Sequence, residues 1–213
     1  MTDSDNWTPW NPWGELTGVP SATDAVPSEL RQVPRPANDN YPRLVALTGA
    51  AGSGKSTATR YLVERHGYTL VKFAGPLKDM LRAIGLDDDD IEGSLKEEPS
   101  GMLCGKTPRH AMQTLGTQWG RDCIGEDFWV GLWRYRSAMV GGRVVVDDCR
   151  FPNEAHAIRE LGGMIIKLEG RGGIAGAHAS EAGCGQQDAV VVNDGGLVDL
   201  YAEVEETVKR WAA

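Results

Sequence analysis

The segment formed by residues 49–56, Gly-Ala-Ala-Gly-Ser-Gly-Lys-Ser, constrains the fold more than any other part of the chain. It matches the pattern G-x-x-x-x-G-K-[ST] in full, after a β-rich run at 44–47 and before a helical pattern near Lys55. Glycines let successive backbone N–H groups turn toward a polyphosphate, and a helix amino terminus adds partial positive charge. We therefore expect a phosphate-binding loop (P-loop), with Lys55 reaching the β and γ phosphates and Ser56 holding Mg²⁺.

Short β-rich runs alternate with helical patterns from Tyr41 onward, which is typical of a parallel sheet with crossover helices. The pattern predicts an α/β fold, a five-stranded parallel sheet flanked by helices. The predicted strands are 43–48, 69–73, 143–147, 164–169 and 189–193. The predicted helices are 55–66, 76–84, 108–121, 127–139, 153–161 and 197–212.

The composition excludes several classes of protein. A formal net charge of −8 argues against a protein that coats nucleic acid or an anionic membrane, since both need an overall basic surface. No apolar run approaches the roughly 18 residues that span a bilayer, and residues 1–5 lack the pattern of an export signal. The four cysteines form no C-x-x-C pair, which favours reduced thiols. We expect a cytoplasmic protein that binds neither nucleic acid nor a membrane.

Residues 1–42 differ from the rest of the chain. They hold seven of the eleven prolines and no sustained apolar period, so they cannot build a core of their own. Trp7, Trp10 and Trp13 recur at the three-residue spacing of a polyproline II helix. We predict an extended arm at 1–42 and one catalytic domain at 43–213. Docking of the arm on a protein partner and docking on its own domain both stay open.

Acidic side chains occur in two settings. The predicted strand 143–147 runs into Asp147 and Asp148, and a hydrophobic strand that ends in a carboxylate is where P-loop proteins order their magnesium shell. One of these two aspartates should do so, and the alternation does not distinguish them. The acidic run at 87–98 has no evident common geometry, so we expect a solvated loop there and not a metal site.

Phosphoryl transfer also needs cations outside the P-loop. The candidates are Arg109, Arg121, Arg150 and Arg171. Thr107 and Pro108 form a helix-start pattern, which would place Arg109, Gln113 and Gly116 on one face suited to a nucleoside monophosphate. Arg171 and His178 follow strand 164–169 in a Gly-rich stretch that could close over the phosphates.

Several short blocks together resemble one family. They are the P-loop, Phe73-Ala74-x-Pro76-Leu77-Lys78, the run from Thr107-Pro108-Arg109 through Gln113 to Arg121, Asp148-x-Arg150-Phe151-Pro152-Asn153-Glu154, and His178-x-Ser180-Glu181. In this order they resemble the bacteriophage deoxynucleoside monophosphate kinases, within the wider nucleoside monophosphate kinase group. The similarity covers about residues 43–211, and the arm at 1–42 departs from it.

The resemblance implies a P-loop fold with a nucleotide-binding helical region and a lid, and transfer of the ATP γ-phosphoryl group to a deoxynucleoside 5′-monophosphate. Matched by motif, the ATP-binding residues would be Gly49, Ala51, Gly52, Ser53, Gly54, Lys55, Ser56 and Thr57. The acceptor would contact Lys78, Arg109, Gln113, Arg121, Arg150, Glu154 and His178. Lys55, Asp148, Arg150 and Arg171 would be catalytic, and Ser56, Asp147 and Asp148 are the candidates for Mg²⁺.

Two other functions stay open at this point. Another small-molecule P-loop kinase, such as one acting on dephospho-coenzyme A, would share the sheet, the loop and the lid. A nucleotide-dependent regulatory protein could act through the Trp-rich arm, although the chain has no Asn-Lys-x-Asp segment of the kind that reads guanine. A homodimer is also compatible with the sequence. A bacteriophage origin would place the protein in the cytoplasm of the host cell.

Overall fold

Five parallel strands form the sheet of this protein, in the order β2-β3-β1-β4-β5. The structure is a computed structural model, and it describes residues 41–170 and 183–212. The strands are β1 (Leu44–Thr48), β2 (Tyr68–Leu70), β3 (Arg143–Val146), β4 (Met164–Glu169) and β5 (Ala189–Val192). The predicted α/β class and five-stranded parallel sheet are confirmed. Because β1 is central, the loop that follows it opens at the middle of the carboxyl edge.

Helices cover both faces of this sheet. They are α1 (Lys55–His66), α2 (Gly75–Ala83), α3 (Asp88–Ile91), α4 (Pro108–Gln113), α5 (Phe128–Met139), α6 (Pro152–Glu160) and α7 (Leu197–Ala212). A π-helix at Thr114–Ile124 continues α4, and short 3₁₀ turns occupy Ser94–Glu97 and Gly101–Leu103. Within the described ranges, no helix combines the length and the apolar character needed to cross a membrane.

The strands alternate their side chains between two cores, as a pleated strand must. Leu44 and Ala46 of β1 pack on one face with Trp133 of α5 and residues of α6. Val45 and Leu47 face the other side, where they meet side chains of α1 and α7. Both faces are buried, which explains why the strands are apolar runs and not alternating sequences.

A third core supports the helices outside the sheet. Leu77 and Leu81 of α2, Ile91 of α3 and Trp129 of α5 are buried together, and Met112 and Leu115 pack against them. These contacts fix a helical region over the carboxyl edge of β2 and β3. The region therefore has its own hydrophobic support beside the P-loop.

The predicted helix at 108–121 is present, but its second half is a π-helix and not an α-helix. Its start is as expected, since the Thr107 side chain caps the helix by accepting a hydrogen bond from His110 N at 3.1 Å. The helix widens to a π-helix at Thr114–Ile124. Trp129 Nε1 donates to Gly116 O at 2.7 Å, and the indole lies against Gly120 so closely that a Cβ there would be 2.4 Å from Nε1. The Trp129 side chain thus takes over a carbonyl of the widened segment.

Two further expectations need correction. Strand β2 ends at Leu70, not at residue 73. Val71 N still donates to Val145 O of β3, whereas the amides of Phe73 and Ala74 donate to the Asp148 carboxylate. The acidic segment 87–98 is not a plain solvated loop. Asp87 and Asp90 form a capping box on α3, and the carboxylates of this segment pair with basic side chains of α2 and α4.

Candidate active site

The loop between β1 and α1 has the backbone that a P-loop requires. Gly49, Gly52 and Gly54 have φ values of 134°, 78° and 103°, in the region that favours glycine. A Cβ on Gly49 would also lie 2.4 Å from the Leu168 carbonyl oxygen of β4. Glycine is therefore needed at residue 49 both for its backbone angle and for the close approach of β4.

Backbone amides of this loop remain available for a ligand. Three amides of this region donate to loop carbonyls, and they belong to Ser53, Thr57 and Ala58. Four others donate to no acceptor in the described part of the chain, and they belong to Gly52, Gly54, Lys55 and Ser56. Amides at the start of a helix, unpaired in this way, bind anions.

A buried asparagine at the end of β5 holds the loop from behind. Asn193 Nδ2 donates to Ser53 O at 3.0 Å, and a Cβ on Gly54 would lie only 2.5 Å from that nitrogen. No sequence motif pointed to Asn193. Its role is visible only because the parallel sheet brings the end of β5 beside the loop after β1.

Lys55 connects the loop with residues after β3. Its ammonium donates to Gly49 O and Ala50 O, both at 2.7 Å. Burial lowers the pKa of Lys55, the nearby Arg150 guanidinium lowers it further, and Asp147 raises it. A cation and a carboxylate from the segment after β3 therefore lie within electrostatic range of the P-loop lysine.

The two aspartates after β3 face different surroundings. Asp147 is 7% exposed, and its Oδ1 lies 3.6 Å from Lys72 Nζ without a hydrogen bond to any described residue. Asp148 has both oxygens occupied, by Phe73 N at 2.9 Å and Ala74 N at 3.0 Å. Burial raises the pKa of Asp148, the Ala74 amide lowers it, and the Asp147 carboxylate raises it.

A cavity beside this segment is lined by residues from α2, α4, the π-helix and the Asp148–Glu154 segment. Five of its residues are cations, and they are Lys78, Lys96, Arg109, Arg121 and Arg150. Aromatic and polar side chains complete it, namely Phe73, Trp129, Phe151, Gln113 and Thr117. An electropositive pocket that also offers aromatic faces and an amide suits a phosphate attached to an aromatic base.

Carboxylates neutralise part of this positive charge. Lys78 hydrogen-bonds to Glu92, and Arg109 pairs with Glu97. Lys72 lies 3.6 Å from the same Glu92 oxygen. These acids come from the segment predicted as a solvated loop, which instead folds over the cavity and holds its cations.

Glu154 organises the turn after β3. It is 3% exposed, and its Oε2 accepts from Arg150 N at 2.7 Å and Phe151 N at 3.0 Å. Its Oε1 accepts from Arg121 Nη2 at 2.8 Å, and the Arg121 guanidinium lies 3.7 Å from the Phe151 ring centroid. Burial raises the pKa of Glu154 to about 7, because its effect is larger than that of these donors, which lower the pKa. Glu154 therefore positions two arginines.

Most residues that the sequence predicted for the site converge in the structure. Lys55 lies within electrostatic range of Arg150 and Asp147. The cavity is lined by seven of the predicted residues, namely Lys78, Arg109, Gln113, Arg121, Asp148, Arg150 and Glu154. Gly116 lines it as well, as the shared face with Arg109 and Gln113 predicted. Arg171 and His178 lie outside the described residues, as does the arm up to residue 40.

Sequence reasoning missed other residues of the site. Lys96, Thr117 and Trp129 line the cavity but lie in no recognisable motif. Lys72 contacts Asp147 and also escaped notice. A signal for Lys72 was present in the sequence. Lys72 and Phe73 end the predicted strand 69–73, and the carboxyl ends of parallel strands lie at the same edge of the sheet as the P-loop.

Comparisons with known proteins identify the family of this chain. A family model for deoxynucleotide monophosphate kinase matches residues 106–204. A protein of Acanthamoeba polyphaga mimivirus is 36% identical to this chain over 182 residues, and its name assigns it, by inference, as a deoxynucleotide monophosphate kinase. The match covers 76% of this chain and 93% of that protein.

Similar solved structures are more distant. An APS kinase of Mycobacterium tuberculosis is 14% identical with a TM-score of 0.36, covering 78% of this chain and 96% of that chain. A Thermus thermophilus protein is 15% identical with a TM-score of 0.45, covering 80% and 98%. Similarity at this level carries no argument about function. The extended match to the mimivirus protein and the family model confirm the resemblance found in the sequence, while a bacteriophage origin stays a prediction. The chain belongs to the deoxynucleotide monophosphate kinase family, whose members are phosphotransferases.

Proposed function

We propose that this protein transfers the γ-phosphoryl group of ATP to a deoxynucleoside 5′-monophosphate, giving the deoxynucleoside diphosphate and ADP. One observation carries the proposal. A cavity with five cationic side chains opens beside a P-loop, and Arg150 belongs to the cavity while it also lies close enough to Lys55 to lower the pKa of its ammonium. Two phosphate-binding sites that share a cation are what transfer between two nucleotides requires.

The donor triphosphate would bind at residues 49–57. The unpaired amides of Gly52, Gly54, Lys55 and Ser56 would surround its β and γ phosphates. Lys55 would exchange its bonds with the Gly49 and Ala50 carbonyls for phosphate oxygens. That exchange restores a charged partner to an ammonium that burial disfavours.

The acceptor monophosphate would bind in the cavity. Its phosphate would meet Arg109 and Arg150, and its base would lie among Phe73, Trp129 and Gln113. Arg121 is held by Glu154 and by the Phe151 ring, so it would present a guanidinium whose position is set before the substrate arrives. Such preorganisation lowers the cost of binding. Arg171 and His178 complete the proposal as residues of a lid.

The reaction needs no dedicated base. The second pKa of a phosphate monoester is near 6, so the acceptor is mostly a dianion at pH 7. One of its oxygens attacks the γ phosphorus, a new P–O bond forms, and the bond to the β–γ bridging oxygen breaks with its electron pair remaining on ADP. The protein then has to align the two phosphates and offset their charge, which is the work of Lys55 and Arg150.

The residues present fit a magnesium site of the kind that P-loop proteins use. Ser56 is the second residue of α1 and is exposed, and Asp147 offers a buried oxygen without a hydrogen bond to any described residue. In the described ranges no cluster of three acidic, histidine or cysteine side chains could bind a metal alone, and Mg²⁺ typically takes one or two protein ligands besides phosphates and water. The bound ion would offset charge on the β and γ phosphates. We assign its protein ligands to Ser56 and Asp147, because both Asp148 oxygens already accept amides.

A substrate panel tests the function. The protein with ATP and Mg²⁺ should convert at least one of the four common deoxynucleoside monophosphates to its diphosphate, and dephospho-coenzyme A should not react. The variant R150M should reduce kcat/KM by a factor of about 10² to 10³. R60M is its control, since Arg60 is an exposed residue of α1 outside the cavity. Turnover of dephospho-coenzyme A with none of any monophosphate would refute the proposal.

The remaining expectations belong to this proposal. We also propose a cytoplasmic location, which suits a small-molecule substrate. Magnesium dependence can be measured directly in the same assay. A homodimer and a partner for the arm at 1–42 stay predictions, which gel filtration and a truncation that begins at residue 41 would test.

A further inference from the structure

Lys96 occupies an unusual place in the cavity. It lies in the 3₁₀ turn Ser94–Glu97, within the acidic segment that the sequence predicted as a solvated loop. Its side chain lines the cavity and is half-buried. Among the residues that the structure describes, none forms an ion pair or a side-chain hydrogen bond with the Lys96 ammonium.

The surroundings of Lys96 are strongly positive. Burial lowers its pKa, and Arg109, Lys78 and Arg150 lower it further, while Glu92 raises it. Glu92 is already bonded to Lys78. Collecting like charges at a half-buried position costs free energy, which an anionic ligand would recover.

Three of the other four cations of the cavity differ from Lys96 in having carboxylate partners. Lys78 pairs with Glu92, and Arg121 pairs with Glu154. The same is true of Arg109, which pairs with Glu97. Lys96 and Arg150 are therefore the cavity cations whose side chains have no carboxylate partner among the described residues, and together they match the two charges of a phosphate monoester dianion.

We propose that Lys96 is a further substrate-binding residue, which binds the phosphate of the acceptor monophosphate together with Arg150. This assignment rests on the proposed function and extends it to a residue outside every motif. The acidic segment then has two tasks. Glu92 and Glu97 hold cations in place at the rim of the cavity, and Lys96 between them contributes a cation of its own.

The test separates phosphate binding from binding of the rest of the nucleotide. Kd would be measured, without ATP, for the monophosphate that turns over best and for the corresponding deoxynucleoside. A hydrogen bond to a charged group contributes about 1.5–3 kcal/mol. K96M should therefore raise the Kd for the monophosphate about 10- to 100-fold and leave the Kd for the deoxynucleoside unchanged. K96R should retain most of the affinity, because it retains the charge.

Three controls accompany the measurement. K106M removes an exposed lysine of the same connection that does not line the cavity, and it should bind both ligands as the wild type does. The KM for ATP should be unchanged in K96M, since Lys96 faces the acceptor. Thermal unfolding of K96M shows whether the fold is preserved.

The outcomes that overturn the proposal are distinct. Wild-type affinity of K96M for the monophosphate would refute the role of Lys96 and leave the proposed function intact. An equal loss for monophosphate and deoxynucleoside would also refute it, since Lys96 would then act through the shape of the cavity. If the wild type phosphorylates no monophosphate, the proposed function fails, and the assignment of Lys96 fails with it.

Discussion

Replacement of Gly120 by alanine tests the contact that shapes the acceptor cavity. Gly120 is buried in the π-helix, and a Cβ there would lie 2.4, 2.5 and 2.6 Å from three atoms of the Trp129 indole. Trp129 is 3% exposed, so its ring has little room to move. It also donates to Gly116 O at 2.7 Å, and any displacement would weaken that bond.

The size of the effect follows from three contributions. Overpacking a core position costs about 1–3 kcal/mol, and loss of the indole hydrogen bond costs about 1 kcal/mol. The higher helix propensity of alanine returns about 1 kcal/mol. We therefore expect G120A to lower the free energy of unfolding by about 1–3 kcal/mol. In a domain of this size that corresponds to a decrease in Tm of about 2–12 °C.

The matched control is Gly131, which lies inside α5, where a Cβ would meet no heavy atom of a neighbouring element within 4 Å. G131A should leave the free energy of unfolding unchanged or raise it by up to about 1 kcal/mol, so its Tm should not fall. In a W129F background, two of the three contacting indole atoms, Nε1 and Cζ2, are absent, so G120A should cost less than in the wild type. Because Gly116 and Trp129 line the cavity, G120A should also raise the KM for the monophosphate and leave the KM for ATP unchanged.

Differential scanning calorimetry of the wild type, G120A, G131A, W129F and the double variant measures these effects. A Tm of G120A equal to or above that of the wild type would refute the argument, since helix propensity would then outweigh the contact. Equal costs of G120A in the two backgrounds would refute the assignment of the clash to the indole.

Three further predictions concern other parts of the molecule. N193A removes the buried bond to Ser53 O, so it should raise the KM for ATP while the KM for the monophosphate stays constant in steady-state assays. D147N should raise the Mg²⁺ concentration needed for half-maximal activity, whereas D148N should mainly raise the KM for the monophosphate; the reverse pattern would contradict the assignment of the two aspartates. Hydrogen bonds from a lysine and two tyrosines lower the pKa of Glu205 to about 2, below its ordinary value of 4.5. The carboxylate therefore stabilises the fold above pH 4.5, and the advantage of the wild type over E205Q in thermal unfolding, about 1 kcal/mol with solvent screening, should vanish as the pH falls from 4.5 to 2.

Local patterns predicted most of the sheet and the donor site. The P-loop motif needs only its own eight residues and the strand and helix beside it, so its position and its glycine geometry at Gly49, Gly52 and Gly54 follow from the sequence. Helix α7 was predicted with its bounds, because Leu200, Val204 and Val208 repeat at helical spacing and are buried. Its end residues Leu197 and Trp211 continue the same apolar spacing in the sequence, yet they are 55% and 46% exposed in the structure.

The sequence by itself therefore determined the fold class, the phosphate-binding loop and the family, because these depend on short patterns whose meaning does not require distant residues. The tertiary structure decided the rest of the site. It separated Asp147 from Asp148 through the amides of Phe73 and Ala74, which lie more than 70 residues away along the chain. It also placed Lys96 in a cavity of like charges, because the folding of an acidic segment over that cavity depends on ion pairs between elements, and no local pattern encodes them.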